Sequence, residues 1–298
     1  MKIAVAGTGY VGLVTGVCLA SKGHMVTCVD VDERKLDMLK AGQIPIYEPG
    51  LEDLLKENRD HMVFTSDYKS AYKDAEVIFI GVGTPEKKDG SANLTYVYSV
   101  AEQIAEAAQK DCVVVIKSTV PIGTNDKIEA FLKERLKNNI KVWVASNPEF
   151  LSQGTAMRDT LHASRIVIGV ENPEAAQILQ EVYKDFEAEK LVTNRRSAEM
   201  IKYASNDFLA LKISYVNEIA NLCEIVGADI EDVTKGMGFD ARIGNRFLNA
   251  GIGYGGSCFP KDTKALSWLA SFNDNELKTI KAAIEVNENQ KMKLYKKA

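Results

Sequence analysis

The sequence predicts an α/β fold, a doubly wound and mostly parallel sheet followed by an all-helical domain. Three observations predict it. A glycine-rich turn joins an apolar strand to an apolar helix at the very start of the chain. Short apolar runs then alternate with helical stretches as far as about residue 195. Beyond that point the strand-like runs stop and helical patterning takes over.

Residues 2–6 read as the first strand, which leads directly into Gly7-Thr8-Gly9-Tyr10-Val11-Gly12. Residues 11–19 suit a buried helix, Gly23 stops it, and residues 25–29 form a second strand ending at Asp30. In a G-x-G-x-x-G turn between strand and helix, each glycine has a separate task. Gly7 permits the tight turn, Gly9 leaves the backbone open to a pyrophosphate, and Gly12 lets the helix pack close to the strand. The helix N-terminus offers free N–H groups to the phosphates. Asp30 stands where an acid accepts hydrogen bonds from ribose hydroxyls and repels a 2′-phosphate, which favours NAD over NADP. Gly7, Gly9, Tyr10, Val11, Gly12 and Asp30 thus form a candidate dinucleotide site of the Rossmann type. Asp32 and Glu33 compete for the acid role, but they read as the start of the next helix, with Asp32 as its N-cap.

Further strands are expected at residues 76–81, 113–116, 142–146, 166–170 and 190–192. Their near-continuous apolar character indicates burial on both faces, hence a parallel sheet. Helices are expected at 33–41, 94–109, 125–136 and 174–186, the last with Asn172 as N-cap and Pro173 at its first position. The cofactor domain is therefore drawn as 1–195 and the helical domain as 196–298. In the second domain Ser197 is expected to cap a long helix running to about residue 226. Another helix starts near residue 230, a glycine-rich segment spans 236–256, and helices dominate from Asp262 onward.

Composition limits the function. A chain of 298 residues suggests two domains. A net charge of −4 gives no electrostatic reason to expect nucleic acid or an anionic membrane as partner. The 5 cysteines form no C-x-x-C pair and the 3 histidines are scattered, so neither a disulfide framework nor a metal centre is expected. Lys2 and the apolar run after it resemble a secretory signal, but the glycines interrupt it and the dinucleotide turn accounts for it better. No stretch is long and apolar enough for a membrane span, and the cytoplasm is the expected compartment.

The carboxyl ends of the strands are the expected cofactor edge. Three loops there carry hydroxyls or a carboxylate: Gly81-Val82-Gly83-Thr84-Pro85, Ser118-Thr119-Val120-Pro121-Ile122-Gly123-Thr124 and Asn147-Pro148-Glu149-Phe150-Leu151. Ordinary turn chemistry explains their composition equally well. On the long helix Lys202 and Asn206 stand at i, i+4, where a charge and a neutral donor could together hold an oxyanion. On spacing alone, a solvated helix face is the better account. The sharpest feature is Gly253-Tyr254-Gly255-Gly256-Ser257-Cys258-Phe259-Pro260-Lys261-Asp262. Cys258 lies between a glycine loop and a helix start, where N–H groups and Lys261 favour a thiolate nucleophile. The other four cysteines lie in or beside expected helices and strands, as small core hydrophobes do. Asp262 reads as an N-cap, a base or both.

With these motifs the chain resembles the nucleotide-sugar dehydrogenases, the UDP-glucose/GDP-mannose dehydrogenase family. The resemblance also rests on Ile46-Tyr47-Glu48-Pro49-Gly50-Leu51 and Ala198-Glu199-Met200-Ile201-Lys202-Tyr203-Ala204-Ser205-Asn206, and it runs the length of the chain. It implies an NAD-dependent four-electron oxidation of UDP-glucose, or alternatively of GDP-mannose or a UDP-hexosamine, through a cysteine thiohemiacetal and thioester. On that resemblance Cys258 is the nucleophile, Lys202 and Asn206 hold the oxyanion, and Asp262 orients water or relays protons. Thr119 and Glu149 position water or act as base. Asp30, Lys35, Thr84, Thr119 and Lys261 contact NAD. Glu149, Phe150, Leu151, Lys202, Asn206, Phe247, Leu248, Asn249, Gly251 and Gly255 contact the substrate. The resemblance further implies a third, nucleotide-binding domain that this chain does not include, and a homodimer through the long helix. A cofactor-binding, dimerising module without turnover is the reading from a different class.

Overall fold

The computed structural model describes residues 1–297. In chain order the elements are β1 (Lys2–Ala6), α1 (Tyr10–Ala20), β2 (Met25–Val29), α2 (Glu33–Lys40), α3 (Leu51–Glu57), β3 (Met62–Thr65), α4 (Tyr68–Lys73), β4 (Val77–Ile80), α5 (Thr95–Ala107) and β5 (Cys112–Ile116). They continue with α6 (Thr124–Arg135), β6 (Val142–Ser146), α7 (Ala156–Leu161), β7 (Arg165–Gly169), α8 (Pro173–Val182), β8 (Glu189–Thr193), α9 (Arg195–Val226), α10 (Ile230–Gly238), α11 (Phe259–Phe272) and α12 (Lys278–Lys297).

The 8 strands form one sheet in the order β3-β2-β1-β4-β5-β6-β7-β8. The first six follow the doubly wound order whose topological switch lies between β1 and β4, the place where such sheets bind dinucleotides. Adjacent strands are parallel except β6 and β7, which meet antiparallel at Ser146 and Gly169. Every residue of β4 and β5 is buried. Their side chains alternate between two cores. Val77, Phe79, Val113 and Val115 join Leu13, Val17, Leu36 and Leu39 of α1 and α2 on one face. Ile78, Ile80, Val114 and Ile116 join Val97, Ile104, Ile128 and Leu132 of α5 and α6 on the other. The period-2 alternation of strand side chains produces this division.

The chain divides into two compact units within α9. One comprises Met1–Pro85 and Asn93–Lys202, and the other Glu86–Ala92 and the chain from Tyr203 onward. The sequence places the boundary at 195/196, where α9 begins. In the second unit α9 is tied to α12, with the Ser214 hydroxyl donating to the Ala283 carbonyl at 2.7 Å and the Asn221 amide to Gln290 at 3.0 Å. Asn287 of α12 grips the glycine-rich loop on both sides: its Oδ1 accepts from the Tyr254 N–H at 2.6 Å and its Nδ2 donates to the Tyr254 carbonyl at 3.1 Å. That grip sets the path of the chain into α11.

Several elements differ from expectation. β3, α3 and α4 fall in a stretch left without elements by the sequence reading. Ser197 does not cap α9; its N–H instead donates to Asn194 Oδ1 at 2.7 Å, so Asn194 is the capping side chain. Asp262 is not an N-cap. Cys258 occupies that position, and the Asp262 N–H makes the helical bond to the Cys258 carbonyl at 2.8 Å. Asp32 does cap α2, accepting from the N–H groups of Arg34 and Lys35.

Candidate active site

The dinucleotide turn has the backbone its sequence demands. Gly7 takes φ +91°, a conformation that L side chains resist. A Cβ on Gly12 would stand 1.9 Å from the Gly7 carbonyl oxygen, so no larger residue fits where α1 crosses β1. A Cβ on Gly9 would meet no atom within 4 Å. Gly9 also caps α1, whose first N–H groups open there. This cradle fits the diphosphate of NAD, with Tyr10 and Val11 opening the helix beneath it. Asp30 follows β2 and is locked in place. Its Oδ2 accepts from the Thr8 N–H at 2.6 Å and the Thr8 hydroxyl at 2.5 Å, and its Oδ1 accepts from the Asp32 N–H at 3.0 Å. Burial pulls this carboxyl up, but those donors outweigh it and hold it below the usual carboxylate range. Lys35 stands 4.0 Å from Asp32 on the half-exposed first turn of α2. When bound, NAD would supply the hydride acceptor.

At the carboxyl ends of β4 and β5 the two loops are laced together. The Thr84 hydroxyl donates to the Thr119 carbonyl at 2.8 Å, and the Ser118 hydroxyl to the Val82 carbonyl at 2.6 Å. Glu149 is buried, accepts from the Leu151 N–H at 2.8 Å, and receives the Lys202 ammonium at 3.0 Å. Lys202 is only 3% exposed, which overturns the solvated helix face as an account of it. The Phe150 ring lies 3.9 Å from the Arg165 guanidinium carbon and 5.5 Å from the Lys202 ammonium, within cation–π range.

Sequence reasoning missed three side chains in this unit. Lys117, at the end of β5, donates to Asn147 Oδ1 at 3.0 Å. Burial lowers this ammonium to about 8 against the opposing pull of Glu149. The same Asn147 oxygen takes the Tyr183 hydroxyl at 2.5 Å, while the amide nitrogen donates to the Val167 carbonyl at 2.7 Å. Glu48, also buried, accepts from the Tyr10 hydroxyl, from the Gly154 N–H at 2.9 Å and from the Met157 N–H at 3.1 Å. It thereby joins the dinucleotide turn to the segment after Leu151. Glu199 accepts from the Gly123 N–H at 2.5 Å and from the N–H and side-chain amide of Asn125 at 2.9 and 2.7 Å. Its carboxylate caps α6 from one turn before Lys202. Glu48 and Glu199 lie inside motifs already singled out. A glutamate among apolar neighbours was the available signal.

In the second unit Cys258 is exposed, whereas Cys18, Cys28, Cys112 and Cys223 are buried. Burial pushes the thiols of Cys18, Cys28 and Cys112 up to about 12. The Cys258 sulfur lies 3.7 Å from the Ser257 hydroxyl. One helical turn on, Asp262 is 1% exposed; its Oδ2 accepts from the Asn206 amide at 2.7 Å and its Oδ1 from the Lys261 ammonium at 2.5 Å. Lys261, expected at the cofactor, is thus paired with Asp262. Phe247 takes φ 62° and meets the Phe259 ring edge-on at 6.2 Å. Leu248 is buried and Asn249 exposed. Gly251 is held by Asn217 at 2.8 Å, and Gly255 is open, with nothing within 4 Å of an added Cβ. No group of three or more metal-ligating side chains occurs among the described residues, and no described helix is long and apolar enough to cross a membrane.

Comparison with known proteins gives the same picture from outside. Residues 1–187 match the NAD binding domain of the UDP-glucose/GDP-mannose dehydrogenase family, and residues 196–289 match its central domain. The chain is 52% identical over 300 residues to the UDP-glucose 6-dehydrogenase YwqF of Bacillus subtilis, covering 100% of this chain and 68% of that protein. A UDP-glucose dehydrogenase structure from Pyrobaculum islandicum superposes with a TM-score of 0.93 at 42% identity, over 96% of this chain and 68% of that one. A GDP-mannose dehydrogenase from Pseudomonas aeruginosa gives a TM-score of 0.78 at 36% identity, over 97% and 69%. The chain therefore spans about two thirds of the length of these relatives. With its dinucleotide cradle, its carboxylate-bound Lys202 and its exposed Cys258, the chain belongs to the UDP-glucose/GDP-mannose dehydrogenase family and carries the family's NAD binding and central domains.

Proposed function

We propose that this chain is the cofactor and central part of an NAD-dependent UDP-glucose 6-dehydrogenase. The sugar's primary alcohol is oxidised first to an aldehyde, its O–H proton passing to Glu149 or to water held by Thr119 and Glu149. The Cys258 thiolate adds to the aldehyde carbon, forming the C–S bond while the carbonyl π pair moves to oxygen. Lys202 and Asn206 stabilise that oxyanion. Loss of a second hydride from the same carbon leaves a thioester. Water, oriented through Asp262, adds to the thioester, and the C–S bond breaks to release the carboxylate and regenerate the thiolate. Bound NAD would supply the hydride acceptor for each of the two oxidations. Phe150, Leu151, Phe247, Leu248, Asn249, Gly251 and Gly255 line the substrate side in this reading.

The observation that carries it is Cys258: an exposed thiol at the head of α11, one turn from an aspartate that Asn206 holds, in a chain whose other thiols are buried. The stripe of Phe208, Tyr215, Leu222 and Ile225 supports a homodimer through α9, for these residues are 48–81% exposed on one helical face. The test is NADH formed per UDP-glucose consumed. Two are expected, and Cys258→Ser is expected to abolish that stoichiometry. NAD binding without any NADH in the same sample would leave a cofactor-binding module; turnover with GDP-mannose alone would move the substrate within the family.

A further inference from the structure

The second unit buries two carboxyls, near enough for one to act on the other, in opposite states of satisfaction. Asp262 has a donor on each oxygen, Asn206 on one and Lys261 on the other. Asp207, the residue after Asn206 on α9, is 2% exposed, and neither of its oxygens has a hydrogen-bond partner among the described residues. A buried carboxylate anion with no donor is among the most unfavourable groups a protein can hold, whereas the neutral acid is tolerated. The field of Asp262 acts on Asp207 in the same direction as burial, and together they raise its carboxyl to about 7. Around the pair, Lys261 offsets Asp262 from α11. Asp207 in turn acts on Tyr254 in the glycine-rich loop, and so does Glu288 of α12.

We propose that Asp207 is the proton-holding member of a carboxyl pair with Asp262, a positioning residue whose neutral form keeps a second negative charge away from Asp262, one helical turn from Cys258. Its ionisation adds a second negative charge that acts on Tyr254, in the loop leading to the thiol. The thiol's nucleophilicity and the helical turn that bears it then respond to pH through Asp207 as well as through the thiol itself. The acid–base role of Asp262 rests on the function proposed above; the protonation of Asp207 does not.

The test is a carboxyl-carbon NMR titration of the chain with labelled aspartate, in wild type, Asp207→Asn and Asp262→Asn. One aspartate is expected to titrate near neutrality in wild type. That signal should vanish in D207N, whose amide matches the neutral acid in shape, and should move to lower pH in D262N, where the like charge is gone. The alkylation rate of Cys258 by iodoacetamide, followed by mass spectrometry across the same pH range, should show a break near neutrality in wild type that D207N lacks. All aspartates titrating in the acid range, a neutral signal that persists in D207N, or superimposable alkylation profiles would each overturn the proposal. None of these readouts requires turnover, so a chain that makes no NADH while its titration behaves as stated would sink the activity and leave the pair standing.

Discussion

Asp30 carries three hydrogen bonds before any ligand arrives, and this fixes where its charge sits. A 2′-phosphate on the ribose would meet that charge at close range. NAD is therefore expected to bind at least about tenfold more tightly than NADP, a difference of about 1.4 kcal/mol. Asp30→Ser should narrow the gap, as measured by calorimetric titration of both dinucleotides. Equal affinities in wild type would remove Asp30 from the recognition role. Because the folded carboxyl is depressed, it stabilises the fold above the unfolded value of about 3.9 and ceases to do so as pH falls through the folded value. Part of the stability difference between wild type and D30S should disappear in acid-range denaturation. The thiols give a second prediction at this scale: Cys258 should be alkylated first, well before Cys18, Cys28 and Cys112, whose burial keeps them protonated. Both of these residues were legible in the sequence because local context marks them, one by its distance from three glycines and the other by a glycine loop before a helix. Asp207 and Lys117 were not legible, since burial of a charged side chain is decided by what packs over it.

At the scale of elements, the cap on α6 has the largest consequence. Its first N–H groups are satisfied by the Glu199 carboxylate on another helix. Glu199→Ala leaves those buried donors unpaired and is expected to destabilise the chain by about 1–3 kcal/mol in urea unfolding. Glu199→Gln, which keeps an acceptor oxygen, should cost less. If Ala and Gln behave alike, the cap contributes nothing. The strand–helix alternation through β7 and α8 was readable because runs such as Val113–Ile116 are apolar without interruption. β3 was not, for it has only four residues and alternates buried and exposed. The start of α9 shows a finer limit. Asn194 and Ser197 are both good capping residues, and only the backbone path decides that the N–H of one meets the side chain of the other. The same applies to Asp262, whose type suits a cap and whose position one turn inside α11 serves Asn206 and Lys261 instead.

For the molecule as a whole, the apolar stripe on α9 carries the proposed assembly. Phe208→Glu and Tyr215→Glu should convert a dimer to a monomer in sedimentation equilibrium. A wild-type chain that stays monomeric at high protein concentration would end that reading. The fold class followed from sequence patterning, whereas the antiparallel meeting of β6 and β7 did not, since it rests on a single residue pair. Strand order has a further consequence, in the order of events during synthesis. β1 is made first, yet it lies inside the sheet between β2 and β4, and β4 ends at Ile80. Ile80 lies 74 residues after Ala6, a stretch that a ribosome working at about 5–20 residues per second needs about 4–15 s to make. Through that interval the nascent β1 has at least one open edge on its apolar run, the condition in which a growing chain pairs most readily with the wrong strand.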